Sequence, residues 1–337
     1  MCRTLCCLTL LIAFAACDDG GTSAADASPE AGPPDAQLAD AEVISDGPVP
    51  DLGPFDPDAA PDAQADLGPR TPETPYSDNL HLSEQVLAIA HRGGRRAAPE
   101  ETLPAFQHAA ELGIDVLEMD LHTTSDGVVV CQHDAEVDRT TDGTGRINDM
   151  TFEEVRRLDA GYRFTADGGA THPFRGMGVQ IPTFREVLSA FPDLHYAIEI
   201  KQASPPIVDE VVAILRETGA DARVSVAAFA DPVVLAVREA APDLVTALAL
   251  GEIVAFTRLD DDSERDYRAP GHLLQIPTRQ GNLEVLTADL VERAHRLGMR
   301  VQVWTINNPA EMREVLDLGV DGVMTDDPER LLEEMGR

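Results

Sequence analysis

From Leu80 onward, apolar runs of strand length alternate with amphipathic runs of helix length, and this alternation limits the fold more than any other feature of the chain. The strand-like runs are VLAIAH (86–91), DVLEMDL (115–121), VVVCQH (128–133), YAIEI (196–200), VSVAAF (224–229), LVTALAL (244–250), LLQIP (273–277) and VQVWTI (301–306). Most are apolar throughout, as strands covered on both faces must be. Between many of them lie LPAFQHAAELG, TFREVLSAF, PIVDEVVAILRETG, PVVLAVREA, ADLVERAHRLG and AEMREVLDLG, whose apolar residues recur at helical spacing. Eight strand runs separated in this way predict a (β/α)8 TIM barrel rather than a doubly wound sheet. Residues 135–182 break the alternation with the turns DGTG, DGGA and RGMG, and are predicted to form an irregular insertion over the C-terminal face.

Ahead of Leu80 the composition is different. Residues 18–78 hold 15 acids against one base, Arg70, and 11 prolines. Such a stretch buries too little apolar surface to offset its ordering entropy, so a disordered acidic linker is predicted over 18–79. Residues 1–17, MCRTLCCLTLLIAFAAC, put Arg3 ahead of an apolar stretch too short to cross a bilayer, followed by small residues, which is a secretory signal. Its ending, Phe14-Ala15-Ala16-Cys17, resembles the lipobox of bacterial lipoproteins. That resemblance implies cleavage before Cys17, lipidation of Cys17, and an exported protein tethered to the cell membrane or outer membrane. The barrel domain is then 80–337. With Cys2, Cys6 and Cys7 lost and Cys17 acylated, Cys131 is the only thiol left of five, so no disulfide is expected. The net charge of −34 excludes a nucleic-acid partner held by phosphate neutralisation, and an anionic membrane would repel the chain without an anchor.

In a barrel of this kind the active site lies at the C-terminal ends of the strands, and polar residues fall there repeatedly. His91 closes the first run. Glu118 and Asp120 lie near the end of the second and share a face, because strand side chains alternate with period two. His133 closes the third run, Glu199 and Lys201 the fourth, and Trp304 lies near the end of the last. Glu118, Asp120 and Glu199 buried together would raise one another's pKa unless a counter-charge joined them. A hard divalent cation, Ca2+ or Mg2+, suits three carboxylates with no thiol nearby. Such an ion polarises phosphoryl oxygens, while the Arg92 fork and the Lys201 point charge suit the others. Histidine as a residue type titrates near neutrality, so His91 and His133 are the candidate acid–base pair.

The ordered motifs H-R-G-x5-P-E-x-T, E-x-D, T-x-D-G and H-D, with the later E-I-K, V-W-T-I-N and G-V-D-G-V-M-T-D-D-P, resemble the glycerophosphodiester phosphodiesterase family over almost everything from Leu87 to the C-terminus. The resemblance implies a metal-dependent barrel that hydrolyses small glycerophosphodiesters to sn-glycerol 3-phosphate and an alcohol. It implies His91 and His133 as acid and base, Glu118, Asp120 and Glu199 as metal ligands, and Arg92 and Lys201 facing phosphate. Trp304 would contact the glycerol backbone. Two roles stay open for Glu100: substrate binding, or a carboxylate at a helix N-terminus. By analogy with related phosphodiesterases, the substrate's own glycerol hydroxyl attacks first and water then opens a cyclic phosphate. Asp134 is placed to orient His133. The chain departs from the family pattern at Glu101, where asparagine is usual, and at Ser125, where lysine is usual.

Two other functions fit the same residues: a phospholipase-type phosphodiesterase acting on lysophospholipid or phosphatidylinositol headgroups, and a catalytically inactive anchored binding protein. Exposed apolar loops at the barrel mouth would favour the first, and a lost metal ligand the second. The remaining histidines, His81 and His122 among them, have no motif and are assigned to the surface or to packing.

Overall fold

Alternate residues of the apolar runs serve two different surfaces, which is why the runs are continuous. In the computed structural model, which describes residues 71–337, the strands are β1 (Leu87–Ala90), β2 (Val116–Thr123), β3 (Val129–Cys131), β4 (His195–Ile200), β5 (Val224–Ala227), β6 (Val245–Thr246), β7 (Leu273–Pro277), β8 (Arg279–Gln280), β9 (Leu283–Glu284), β10 (Arg300–Trp304) and β11 (Gly322–Thr325). The signal segment, Cys17 and the predicted linker up to Arg70 lie outside the described residues. Eight strands run parallel in the order β1-β2-β4-β5-β6-β7-β10-β11. β11 pairs back onto β1, and a parallel bridge between Ala247 and Leu273 joins β6 to β7. The TIM barrel predicted from the alternation is therefore the fold.

Leu87, Ile89, Val116, Ala197 and Met324 form one buried cluster inside the barrel, with Trp304 against it. Their strand neighbours Ala88, Ala90, Leu117, Met119, Tyr196 and Ile198 belong to the larger layer beneath the helices, which holds Phe106, Val187, Val211 and Val315. The predicted helices form over Leu103–Leu112, Phe184–Ala190, Val208–Thr218, Asp231–Ala240, Ala288–Arg296 and Pro309–Asp317. Thr183 caps its helix with a reciprocal bond to Glu186, and Asn308 caps the helix that follows it.

Two assignments change. The run at 128–133 is not a barrel strand: β3 pairs antiparallel with the far end of β2, Leu121 opposite Cys131. The eighth barrel strand is instead β11, a run of four residues flanked by Asp321 and Asp326, so Trp304 ends the seventh. LVTALAL yields only the two-residue β6, because a helix already starts at Leu250. The insertion is irregular, as expected, and keeps a small core of its own from Val137, Ile147, Val155, Ala160, Val179 and Ile181.

A short turn, Leu80–Leu82, plugs the N-terminal end of the barrel. Asn79 donates to the Val224 carbonyl, Arg300 donates to the Leu82 carbonyl, and Leu80 packs on the inner cluster. His81 is fully enclosed there, with Nε2 2.9 Å from the Tyr196 carbonyl and Nδ1 3.1 Å from the Gln302 amide. The ring is therefore neutral, Nε2–H donating and Nδ1 accepting. Residues just ahead of the plug, although their composition belongs with the linker, also dock: Tyr76 Oη lies 2.8 Å from Asp221, and Thr74 donates to the Asp243 carbonyl.

Burial lowers the His81 pKa from 6.5 to about 4. An unfolded chain therefore binds a proton at this position between those two pH values when the folded chain does not. The stabilisation is complete above about pH 6.5 and falls by about 1.4 kcal/mol per pH unit until about pH 4. Urea midpoints measured from pH 7 to pH 4.5 are expected to fall, and His81→Gln is expected to flatten that slope. Identical slopes in the two proteins would contradict the assignment.

Candidate active site

At the C-terminal end of β1 the chain turns sharply through His91–Gly93. Arg92 takes a left-handed conformation (φ 52°), and a Cβ on Gly93 would come within 2.9 Å of Ala105 and Phe106. The turn presses the Arg92 amide onto Glu118 Oε2, 2.7 Å away, and swings its guanidinium to Glu100 (2.9 Å) and Asp120 (3.4 Å). Parallel pairing sets Asp120 opposite Glu199, so the two carboxylates are neighbours inside the barrel. Lys201 bridges them, its Nζ 3.1 Å from Asp120 and 2.8 Å from Glu199.

Each histidine is held in the same way. Pairing of Ala90 with Thr325 puts His91 beside Asp326, and Nδ1 meets Asp326 Oδ1 at 2.6 Å. That carboxylate is gripped in turn by Arg95 at 2.9 Å and Asn307 at 2.7 Å. His133 Nδ1 meets Asp134 at 2.7 Å, and Arg139 holds the other Asp134 oxygen at 2.6 Å. A carboxylate on Nδ1 fixes the proton there and leaves Nε2 to meet a ligand. Arg139 also clasps Glu100 through both terminal nitrogens, at 2.8 and 2.7 Å, which ties the His133 loop to the Arg92 turn.

The charges are unevenly matched. Burial raises the pKa of Glu118 and Glu199, and neighbouring Asp120 adds to it. Burial pushes Asp120 the same way, but Lys201 and Arg92 outweigh it and hold the group ionised. Glu100 is also pushed up by burial, yet Arg139 and Arg92 bring it down to about 2. Burial lowers His91, with Asp326 opposing.

A fourth carboxyl, Glu101, is buried beside Asp120 and accepts its backbone N–H at 3.0 Å. Of the four carboxyls Glu101, Glu118, Asp120 and Glu199, Asp120 pairs with Arg92 and Lys201 and Glu199 with Lys201, while Glu118 meets only the Arg92 backbone N–H. Glu101 Oε2 and Glu199 Oε1 are buried without a hydrogen-bond partner, and Asp120 Oδ2 has only the 3.4 Å contact to Arg92. Among the described residues no group of three or more His, Cys, Asp or Glu side chains is arranged to hold a metal ion as it stands. The unpartnered hard oxygens and the surplus negative charge nevertheless fit a divalent cation.

All nine predicted site residues of the barrel meet at this mouth, linked by contacts from His91 through Asp326, Arg95, Glu100, Arg92, Asp120 and Lys201 to Glu199. Trp304 joins from β10 through Phe229, whose ring lies edge-on at 5.9 Å and carries Lys201 Nζ 5.6 Å from its centre. Glu100 is engaged by arginines rather than open to a ligand. Asp326, Arg95, Arg139, Asn307 and Phe229 were not singled out from sequence. The segment G-V-D-G-V-M-T-D-D-P contained Asp326, but nothing local links it to His91.

A family model for the glycerophosphoryl diester phosphodiesterase family matches residues 91–330. A glycerophosphodiester phosphodiesterase of Caldanaerobacter subterraneus subsp. tengcongensis is 32% identical over 254 residues, 74% of this chain and 97% of that protein. One from Bacillus subtilis is 28% identical over 262 residues, 74% of this chain and 87% of its own length. Among solved structures, the glycerophosphoryl diester phosphodiesterase domain of a Mycobacterium tuberculosis protein superposes with a TM-score of 0.64 at 25% identity, covering 75% of this chain and 99% of that one. An Oleispira antarctica phosphodiesterase, solved with sn-glycerol-3-phosphate, shares the fold at 23% identity and a TM-score of 0.64, over 75% and 98% of the two chains. The arrangement of His91, His133 and the carboxylates at the barrel mouth, with this match across it, makes the chain a member of the glycerophosphoryl diester phosphodiesterase family.

Proposed function

We propose that this enzyme hydrolyses soluble glycerophosphodiesters to an alcohol and sn-glycerol 3-phosphate, with His91 and His133 as the acid–base pair and a divalent cation, Ca2+ or Mg2+, held by Glu118, Asp120 and Glu199. The observation that carries the reading is the pair of His–Asp–Arg relays, His91–Asp326–Arg95 and His133–Asp134–Arg139, which border one carboxylate-rich pocket. The two rings, each anchored at Nδ1, offer Nε2 for proton transfer. One takes the proton of the attacking glycerol hydroxyl while the other gives a proton to the departing alkoxide, and water then opens the cyclic phosphate with the two roles exchanged. Arg92 and Lys201 supply positive charge for phosphate oxygens, and the Phe229–Trp304 pair offers an apolar wall to the glycerol carbons. When bound, the cation adds charge stabilisation at the phosphoryl oxygens.

The insertion at 135–182 supports soluble substrates, since Met177 is its one exposed large apolar side chain, while exposed Phe229 and Leu283 on other strand-to-helix loops keep lipid headgroups as the second reading. The lipidated Cys17 and acidic linker belong to the same proposal, as a tether for an exported enzyme.

Glycerol 3-phosphate release from glycerophosphocholine is expected to fall by about 100-fold or more in His91→Ala and in His133→Ala, and to vanish with chelator. Rates that survive either substitution or the chelator would overturn the assignment. Asp326→Asn keeps the shape of the His91 partner but removes its charge, and is expected to lower kcat by about 10- to 100-fold with little change in KM. An unchanged kcat would remove Asp326 from the relay.

A further inference from the structure

We propose that Glu101 is a fourth carboxylate ligand of the cation site, an inference that rests on the cation reading above. Glu101 follows Glu100 at the mouth of the barrel and is 1% exposed. Its backbone is left-handed (φ 59°), a conformation more natural to glycine or asparagine, and its amide donates to the Arg92 carbonyl at 3.0 Å. Two left-handed residues, Arg92 and Glu101, are thereby clamped together, with the Glu101 side chain buried against the Asp120 backbone. One carboxylate oxygen accepts the Asp120 amide, which fixes the direction of the group. The other, Oε2, is buried without any hydrogen-bond partner.

A merely structural acceptor at this position needs only the oxygen that meets the Asp120 amide. A glutamine provides that oxygen without a charge. The structure instead buries a second, acidic oxygen on a carboxyl that touches Asp120, where like charges repel. Its nearby cation, Arg92, already serves Glu100 and Asp120. A hard cation shared with Asp120 gives the unpartnered oxygen the partner it lacks, and a site with four carboxylates suits a larger, higher-coordinate ion, Ca2+ above Mg2+.

Glu101→Gln preserves the acceptor for the Asp120 amide and replaces only the unpartnered oxygen with an amide nitrogen. Titrating the full chain with Ca2+ alone and with Mg2+ alone by calorimetry, in wild type and variant, is the test. Glu101→Gln is expected to weaken Ca2+ binding by about tenfold or more, to weaken Mg2+ binding less, and to shrink the Ca2+-induced rise in Tm. Its ion-free Tm is expected to match or exceed that of the wild type, because a buried charge has gone. Glu101→Asn, which suits the left-handed backbone, is the second variant should the glutamine form fail to fold. Equal Ca2+ affinity in wild type and variant would overturn the role of Glu101 and leave the proposed function standing. A wild-type chain that binds neither ion would overturn both. A drop in Tm of the same size with and without ion would mark Glu101 as structural and overturn the inference.

Discussion

Three carboxyl groups, Glu101, Glu118 and Asp120, are buried within one end of a barrel with the half-buried Glu199 beside them, and the like-charge repulsion among the four dictates what must surround them. Barrel geometry creates the problem. Residues two apart on β2 point the same way, and parallel pairing sets Asp120 level with Glu199. The same geometry supplies part of the remedy, because Lys201 is two residues beyond Glu199 and Arg92 leaves β1 directly above Glu118. Two cations for four carboxyls leave a surplus of negative charge in a place where isolated charge is costly. The divalent cation proposed above would balance it and would also stabilise charge at a phosphoryl oxygen.

Around this pocket, position is fixed by repeated use of one device. Each histidine rests on a carboxylate, and each carboxylate rests on an arginine. Arg139 extends the device by closing on Glu100, so that the irregular insertion, which has its own small core, is fastened to the turn after β1. The insertion therefore helps form the site. It carries Arg139 to the loop that bears His133 and keeps Asp134 from turning away.

The sequence was most legible where chemistry was local. Glu118 with Asp120, and Glu199 with Lys201, stand two apart at the ends of apolar runs, and period two alone puts each pair on one face. His91 and His133 close such runs as well. Distant pairings were not legible. Asp326 lies 235 residues from His91 and meets it only because β11 returns beside β1. VVVCQH reads as a barrel strand because an antiparallel partner strand buries the same residues as a parallel one. β11 does not stand out as an apolar run because only four residues separate its flanking acids, and no local pattern records that a turn carrying His81 plugs the barrel floor.

Crystals of the full chain soaked with Mn2+ and measured for anomalous scattering test the cation site most directly. A single strong peak within bonding distance of Glu118, Asp120 and Glu199 oxygens is expected, with Lys201 moved off at least one of its two carboxylates. Absence of a peak at saturating Mn2+, with Lys201 still bridging Asp120 and Glu199, would contradict the proposal that a divalent cation balances this pocket.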